Sequence, residues 1–375
     1  MRVAILTCVY PPYGGGIGMV AKAQARELAH EHEVTVFTPR YRGRAVPQRT
    51  PGVTVVALRP LVSFGNAAVL PQLGWRLRRY DIVHLHYPFF GAQEFLALLP
   101  RRLKLVVTFH MVPQASGVKG LVLRALSYPV ERRLARRAQL LCTQTHDYLE
   151  HVAVPRLGQP HKWQVLPLGV DDHFTPRPTS PALRRELKLN EGGAVLVFVG
   201  TLDAAHAFKG VDVLLQAMTH LREFRVRLIV VGRGHWRSRY ERLAQRLGLA
   251  QVVRFTGFVP DVELPSYLSL ATAVVLPSTS EAETFGIVLL EAMACGVPVV
   301  TSRWPGVREL VAETGAGLLV TPGDPLALAA ALEHLIASPA EARAMGERGR
   351  AAVEQHYRWS MHGQRLRELY HTYVV

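Results

Sequence analysis

Two carboxylates, Glu283 and Glu291, stand eight positions apart in the segment ETFGIVLLEAMACGVPVV, residues 283–300. The segment opens as a loop, becomes an apolar helix and closes as a buried strand. Phe285, Gly286 and Ile287 fall where loop turns to helix. The first turn of a helix leaves backbone N–H groups unpaired and carries partial positive charge, so it receives anions. A glycine there lets a phosphate approach the backbone. Gly296 ends the helix, with Pro298 just beyond. Glu291 lies more than a turn inside, where a carboxylate beside a bound nucleotide accepts from both ribose hydroxyls. Glu283 faces whatever hangs from the phosphates. The competing reading is structural: a core helix with a salt-bridged Glu291 and a solvated Glu283.

Histidines offer a second chemistry. His84 and His86, in DIVHLHYP, share one face of a strand at the spacing of a metal pair. Neither has a carboxylate or cysteine partner nearby in sequence, and no Asp-x-Asp occurs anywhere in the chain. The expectation is chemistry without a metal or other cofactor.

The elements that must position these residues follow from apolar periodicity. Residues 1–10 read as a strand, YGGGIG as a glycine loop, MVAKAQARELAHEH as a helix and EVTVFTP as the next strand. That order is a parallel sheet with crossover helices. DIVHLHYP and LKLVVTFH add two buried strands with polar ends, where a doubly wound sheet places its ligand loops. The pattern restarts at AVLVFVGTL (194–202) and runs on through RVRLIVVGRG, VVRFTGFV, AVVLPST and VPVVTS. The join lies in the Pro- and Asp-rich stretch 167–181. The chain therefore reads as two doubly wound α/β domains, 1–170 and 171–357. Residues 358–375 form an amphipathic helix. It either ends the second domain or, the reading adopted, crosses back to brace the first.

The 375 residues suffice for two domains with full cores. Three scattered cysteines argue against a disulfide framework and fit a reducing compartment. The opening MRVAILTCVYPPYGGG reads as strand and loop, not as a signal peptide. No run of 18 apolar residues is present, so no spanning helix is expected. The expected location is the cytoplasm, either free there or peripheral on the inner face of the membrane. The first 175 residues carry 22 basic and 10 acidic side chains, the rest 22 and 19. A positive first half suits an anionic partner or is simply a set of solvated basic faces.

ETFGIVLLEAMACGVPVV resembles the E-x7-E signature of glycosyltransferase family 4, retaining nucleotide-sugar enzymes with the two-domain GT-B fold. The resemblance extends to FVGTLDAAHAFKGVDVLLQAM, to most of the stretch 228–278, and to the first strand, glycine loop and helix. It covers the second half nearly throughout and the first half mainly at strand ends. It implies two Rossmann-like domains facing a central cleft, the first on the acceptor side and the second binding the nucleotide-sugar. Lys209, in FKG, becomes the cation on the leaving diphosphate. The backbone at Phe285, Gly286 and Ile287, with Gly15 and Gly16, supplies N–H donors. His110, at the end of LVVTFH, matches the histidine that lines the sugar site and is expected to point into the cleft. Catalytic roles thus fall to Lys209, Glu283 and His110, and Glu291 takes the ribose. GFVP, with Phe258, resembles the stretch whose backbone reads the base, so UDP and GDP stay open. The chain departs from the family at Thr201, where an arginine is usual. His206, Arg233 and Arg303 are candidate replacements, His206 first because it shares the loop.

Implied partners are a nucleotide-sugar donor and a glycan or lipid-linked acceptor. An anionic membrane surface is a further partner, suggested by the basic, leucine-rich stretch 121–139. Nucleic acid is not expected, since no recognition helix, zinc spacing or aromatic–glycine sheet motif occurs. The alternatives are an inactive nucleotide-sugar binder and another GT-B enzyme such as a sugar-nucleotide epimerase.

Overall fold

A computed structural model of the chain describes all residues other than 13–14, 41–49, 97–99, 101, 113–116, 179 and 190–191, and omits the side chains of 117–124 and 126. The chain divides into two compact units. Met1–Leu168 and Trp359–Val375 form the first, and Gly169–Arg358 the second.

The first unit contains β1 (Arg2–Leu6), β2 (Glu33–Pro39), β3 (Val53–Leu58), the short hairpin β4 (Val62–Phe64) and β5 (Ala67–Val69), β6 (Ile82–Tyr87), β7 (Lys104–Phe109), β8 (Leu140–Thr143) and β9 (Trp163–Val165). The main sheet is parallel in the order β3-β2-β1-β6-β7-β8-β9. Its strands read as apolar runs because both faces are covered. One face packs Leu6, Leu85, Val107 and Phe109 under the loops and helices that follow β5. The other packs Ile5, Ile82 and Val106 against two helices, Gly16–Leu28 and Trp359–Tyr373. The C-terminal helix is fixed by buried Leu366, Leu369 and Tyr370, and by Arg367, whose guanidinium lies 3.0 Å from Glu27 and 3.4 Å from Glu31.

The second unit contains β10 (Ala194–Val199), β11 (Val226–Val231), β12 (Val253–Gly257), β13 (Ala273–Leu276), β14 (Val299–Ser302) and β15 (Gly317–Val320), parallel in the order β12-β11-β10-β13-β14-β15. Each sheet has one place where the winding reverses: between β1 and β6 in the first unit, and between β10 and β13 in the second. The loops leaving those strand ends are where such sheets take ligands. The edge strands β3, β9 and β15 stand outside the apolar runs singled out in the sequence: β9 and β15 are very short, and β3, though apolar, is mostly only partly buried.

Candidate functional site

The loops at the second reversal point meet. The loop after β10 carries Lys209 and the loop after β13 carries Glu283. Lys209 Nζ donates to Glu283 Oε2 at 2.6 Å, with both side chains largely buried. The backbone knits the loops further, with Thr279 N donating to Phe208 O at 2.7 Å. Gly210, at φ 74°, lies against the carbonyl of Pro277 with no room for a Cβ. Gly200 likewise leaves space for the Lys209 stem, whose Cδ lies 3.0 Å from where a Cβ would stand. Glu283 is therefore a paired acid, not the solvated one of the structural reading.

The loop after β13 ends at Gly286, at φ 72°, which opens the helix Ile287–Ala294. No side chain caps that start and no acid occupies its first turn. Phe285 and Gly286 are buried and Ile287 is partly exposed. The helix thus begins as a bare set of backbone donors beside the Lys209–Glu283 pair. Glu291 is partly buried and makes no ion pair among the described residues, which removes the salt bridge of the structural reading. Burial pushes its carboxyl up to about 8, Asp261 and Asp171 add to the rise, and Lys209 opposes it. Asp171, His173 and Asp261 bring ligand atoms within 4.8 Å of one another. His173 Nε2 already bonds the Asp261 carbonyl at 3.2 Å, and Asp261 is exposed.

Thr201 stands partly exposed in the loop after β10. Asp203 caps the turn that follows, and its carboxylate accepts from both His206 N at 3.0 Å and His206 Nδ1 at 2.7 Å. His206 is thereby held by an acid of its own loop. Arg233 is nearer to the Thr201 backbone than sequence suggests, since Leu202 N donates to Arg233 O at 2.9 Å. Its guanidinium stacks 4.8 Å above the ring of Phe258, which is otherwise 60% exposed. That arginine–aromatic platform is a feature sequence reading missed. Its two halves lie at the ends of neighbouring strands, β11 and β12, but 25 positions apart in the chain. Arg303 is exposed.

His110, Gly15 and Gly16 belong to the first unit. Gly15 and Gly16 are exposed at the uncapped start of the helix Gly16–Leu28. His110 follows the last residue of β7 and is not openly exposed. It is only 7% exposed, and its Nε2 lies 2.9 Å from Nδ1 of His86. Nor do His84 and His86 form a metal pair. Both nitrogens of His84 are taken, Nε2 by Thr108 Oγ1 at 2.7 Å and Nδ1 by the Tyr370 hydroxyl at 2.8 Å. Burial drives the imidazoles of His84 and His110 down to about 3, and that of His86 well below its usual range, so all three are neutral.

A separate surface of the first unit combines apolar and basic groups. Phe64 is 89% exposed and Leu61 75% at the hairpin of β4 and β5, with Val62 and Trp75 also exposed. Arg59, Arg76, Arg78 and Arg79 surround them in sequence and are exposed, and no acid occurs from 57 to 80. The base of the hairpin is fixed: Ala68 is buried and its N–H donates to Phe90 O at 2.9 Å. The basic helix Gly117–Arg137 differs. Leu134 is buried in the core, and Arg137 donates to the carbonyls of Leu96 and Pro100. Leu121, Leu123, Arg124 and Leu126 lie outside the described side chains.

Comparison with known proteins is consistent across the chain. The model of glycosyl transferases group 1 matches residues 179–352, and that of glycosyltransferase family 4 matches residues 14–174. A GDP-mannose-dependent alpha-(1-6)-phosphatidylinositol monomannoside mannosyltransferase of Mycolicibacterium smegmatis is 31% identical over 97% of this chain and 97% of its own. A D-inositol 3-phosphate glycosyltransferase of Streptosporangium roseum is 30% identical over 95% of this chain and 88% of its own. Among solved structures, a sucrose-phosphate synthase from Thermosynechococcus elongatus superposes with a TM-score of 0.82 at 23% identity, covering 99% of this chain and 98% of the other.

Proposed function

As this chain belongs to glycosyltransferase family 4, we propose that it moves a hexose from a nucleotide-activated donor to a glycan or lipid-linked acceptor. Transfer retains the configuration at the anomeric carbon and needs no metal. The observation that carries the reading is the meeting of Lys209 and Glu283 at the β10/β13 reversal, beside the uncapped helix start at Gly286.

In this reading the second unit holds the donor and the first holds the acceptor. The diphosphate lies on the backbone N–H groups at Phe285, Gly286 and Ile287, with Lys209 as its cation. Gly15 and Gly16 offer the same kind of helix start from the first unit. Negative charge builds on the diphosphate as the glycosidic bond breaks. Each preorganised donor lowers that barrier by ~3 kcal/mol, on the scale of oxyanion-hole deletions. Lys209 thereby does without a metal what a divalent ion does elsewhere. Glu291 takes the ribose hydroxyls, Glu283 and His110 line the sugar, and Phe258 lies at the base. His206, oriented by Asp203, stands in for the absent arginine at Thr201. The leaving phosphate takes the acceptor proton in a front-face attack.

The mannosyltransferase relative supports GDP-mannose over a UDP-sugar as donor, and a lipid-linked acceptor over a soluble one. Among the described residues no helix is long and apolar enough to cross a membrane. The apolar, arginine-ringed hairpin supports contact with an anionic membrane face from outside the bilayer.

Calorimetric titration with GDP, UDP, ADP and CMP tests the site. The expected result is that GDP alone binds tightly and that Glu291→Ala weakens it. Absence of binding to all four by folded protein refutes the donor site, and selective UDP binding refutes the choice of GDP.

A further inference from the structure

β6 and β7 alternate their side chains between two faces, and the face turned to the C-terminal helix changes character along its length. It begins with Ile82 and Val106, then presents His84 and Thr108, and ends with His86 and His110. Three imidazoles are stacked there inside the fold. His84 and His86 lie 5.0 Å apart between ring centres, and His86 and His110 5.1 Å apart with their planes within 18°. Such a polar column is costly to bury unless its hydrogen bonds are satisfied.

One nitrogen is not satisfied. His86 Nε2 is buried and has no hydrogen-bond partner among the described residues. A neutral imidazole carries one N–H, so the position of the His86 proton decides the state of the pair. On Nε2 it leaves a buried donor with nothing to receive it. On Nδ1 it is donated to His110, and only a lone pair is left bare. Orphaned N–H donors are the rarer defect in folded proteins. The shared bond then requires Nε2 of His110 to accept, which puts the His110 proton on Nδ1.

We propose that His86 is a positioning residue. By donating from Nδ1 to His110 Nε2 it holds the His110 ring at the end of β7 and fixes that ring as an Nδ1–H donor. The consequence for transfer rests on the reading that His110 lines the sugar site. The hydrogen bond itself does not. His84 supports the column from below, its Nδ1 joined to Tyr370 of the C-terminal helix.

The test uses the full chain labelled with ¹⁵N-histidine. Long-range ¹H–¹⁵N correlations without ligand are expected to find His110 protonated on Nδ1 and bare on Nε2. His86→Phe removes the donor, and His110 shifts toward the Nε2–H form that free imidazole prefers. His86→Asn places an amide N–H near the lost Nδ1 and restores the native form. In transfer assays His86→Phe lowers kcat about tenfold with little change in KM, the scale at which outer partners of a site histidine act, and His86→Asn recovers most of it. Thermal melts of both variants report that they fold. An Nε2–H state of His110 in the native chain, or an unchanged tautomer in His86→Phe, overturns the inference and leaves the donor site untouched. A shifted tautomer with unchanged kinetics overturns the link to transfer, and with it the place of His110 at the sugar.

Discussion

Among single residues, Glu291 is the one whose state the protein alters most consequentially. Its carboxyl is pushed up to about 8 by burial, with the charges of Asp261 and Asp171 adding to it. Ribose hydroxyls that donate to it stabilise the charged form and draw its pKa down. In the proposed placement of the ribose, donor binding therefore releases a proton in the window between that lowered pKa and about 8. Affinity for GDP is expected to rise from pH 6 to 8 and level off above. Glu291→Gln should flatten that profile, and the heat of binding should follow the buffer's ionisation enthalpy only in the native protein. A profile of the same slope in the variant would assign the dependence to the phosphates instead. The residues of this site were legible because they are close in sequence: Glu283, Gly286 and Glu291 fall within one segment. Lys209 was legible through its loop. Arg233 on Phe258 and His86 on His110 were not, since each pair is made by register between different strands.

At the scale of elements, the hairpin of β4 and β5 departs most from what sequence suggested. The membrane contact was expected in the basic stretch 121–139. There the described part of the helix buries Leu134 and uses Arg137 internally. The hairpin instead holds Leu61, Val62 and Phe64 away from the core while Ala68 and Leu70 are buried. Three-residue strands carry too little pattern to be recognised from sequence. Vesicles of phosphatidylcholine with phosphatidylglycerol should sediment the protein, and those of phosphatidylcholine alone should not. Phe64→Ser with Leu61→Ser should lower binding about tenfold or more, since burying each large apolar side chain contributes about 1.5–3 kcal/mol. Binding unchanged in this double variant, or indifferent to lipid charge, refutes the hairpin as the contact.

On the scale of the whole molecule, two doubly wound α/β domains were readable from the two runs of strand–loop–helix, and family 4 with its GT-B fold from the resemblance of the motifs they carry. Their strand order was not, because pairing is decided between segments far apart. The C-terminal helix belongs to the first unit through Leu366, Leu369 and Tyr370, and through Gly363, which has no room for a Cβ beside Glu27. Leu366→Ala should destabilise the protein by about 2–5 kcal/mol, the usual cost of emptying such a core position. In urea the loss should appear in fluorescence from Trp163, a tryptophan of the first unit. Loss confined to the second unit would contradict the packing.

That same helix sets an order of events during synthesis. Residues 1–168 emerge from the ribosome first, yet the surface that covers His84, Gln24 and Leu28 is encoded after the whole of the second unit. The nascent first unit must therefore wait, with one face of its sheet unsealed, for nearly two hundred further residues. Its neighbour, continuous from Gly169 to Arg358, can finish first. The half of the enzyme made earliest is the half completed last, and during that interval it is the part most in need of a chaperone.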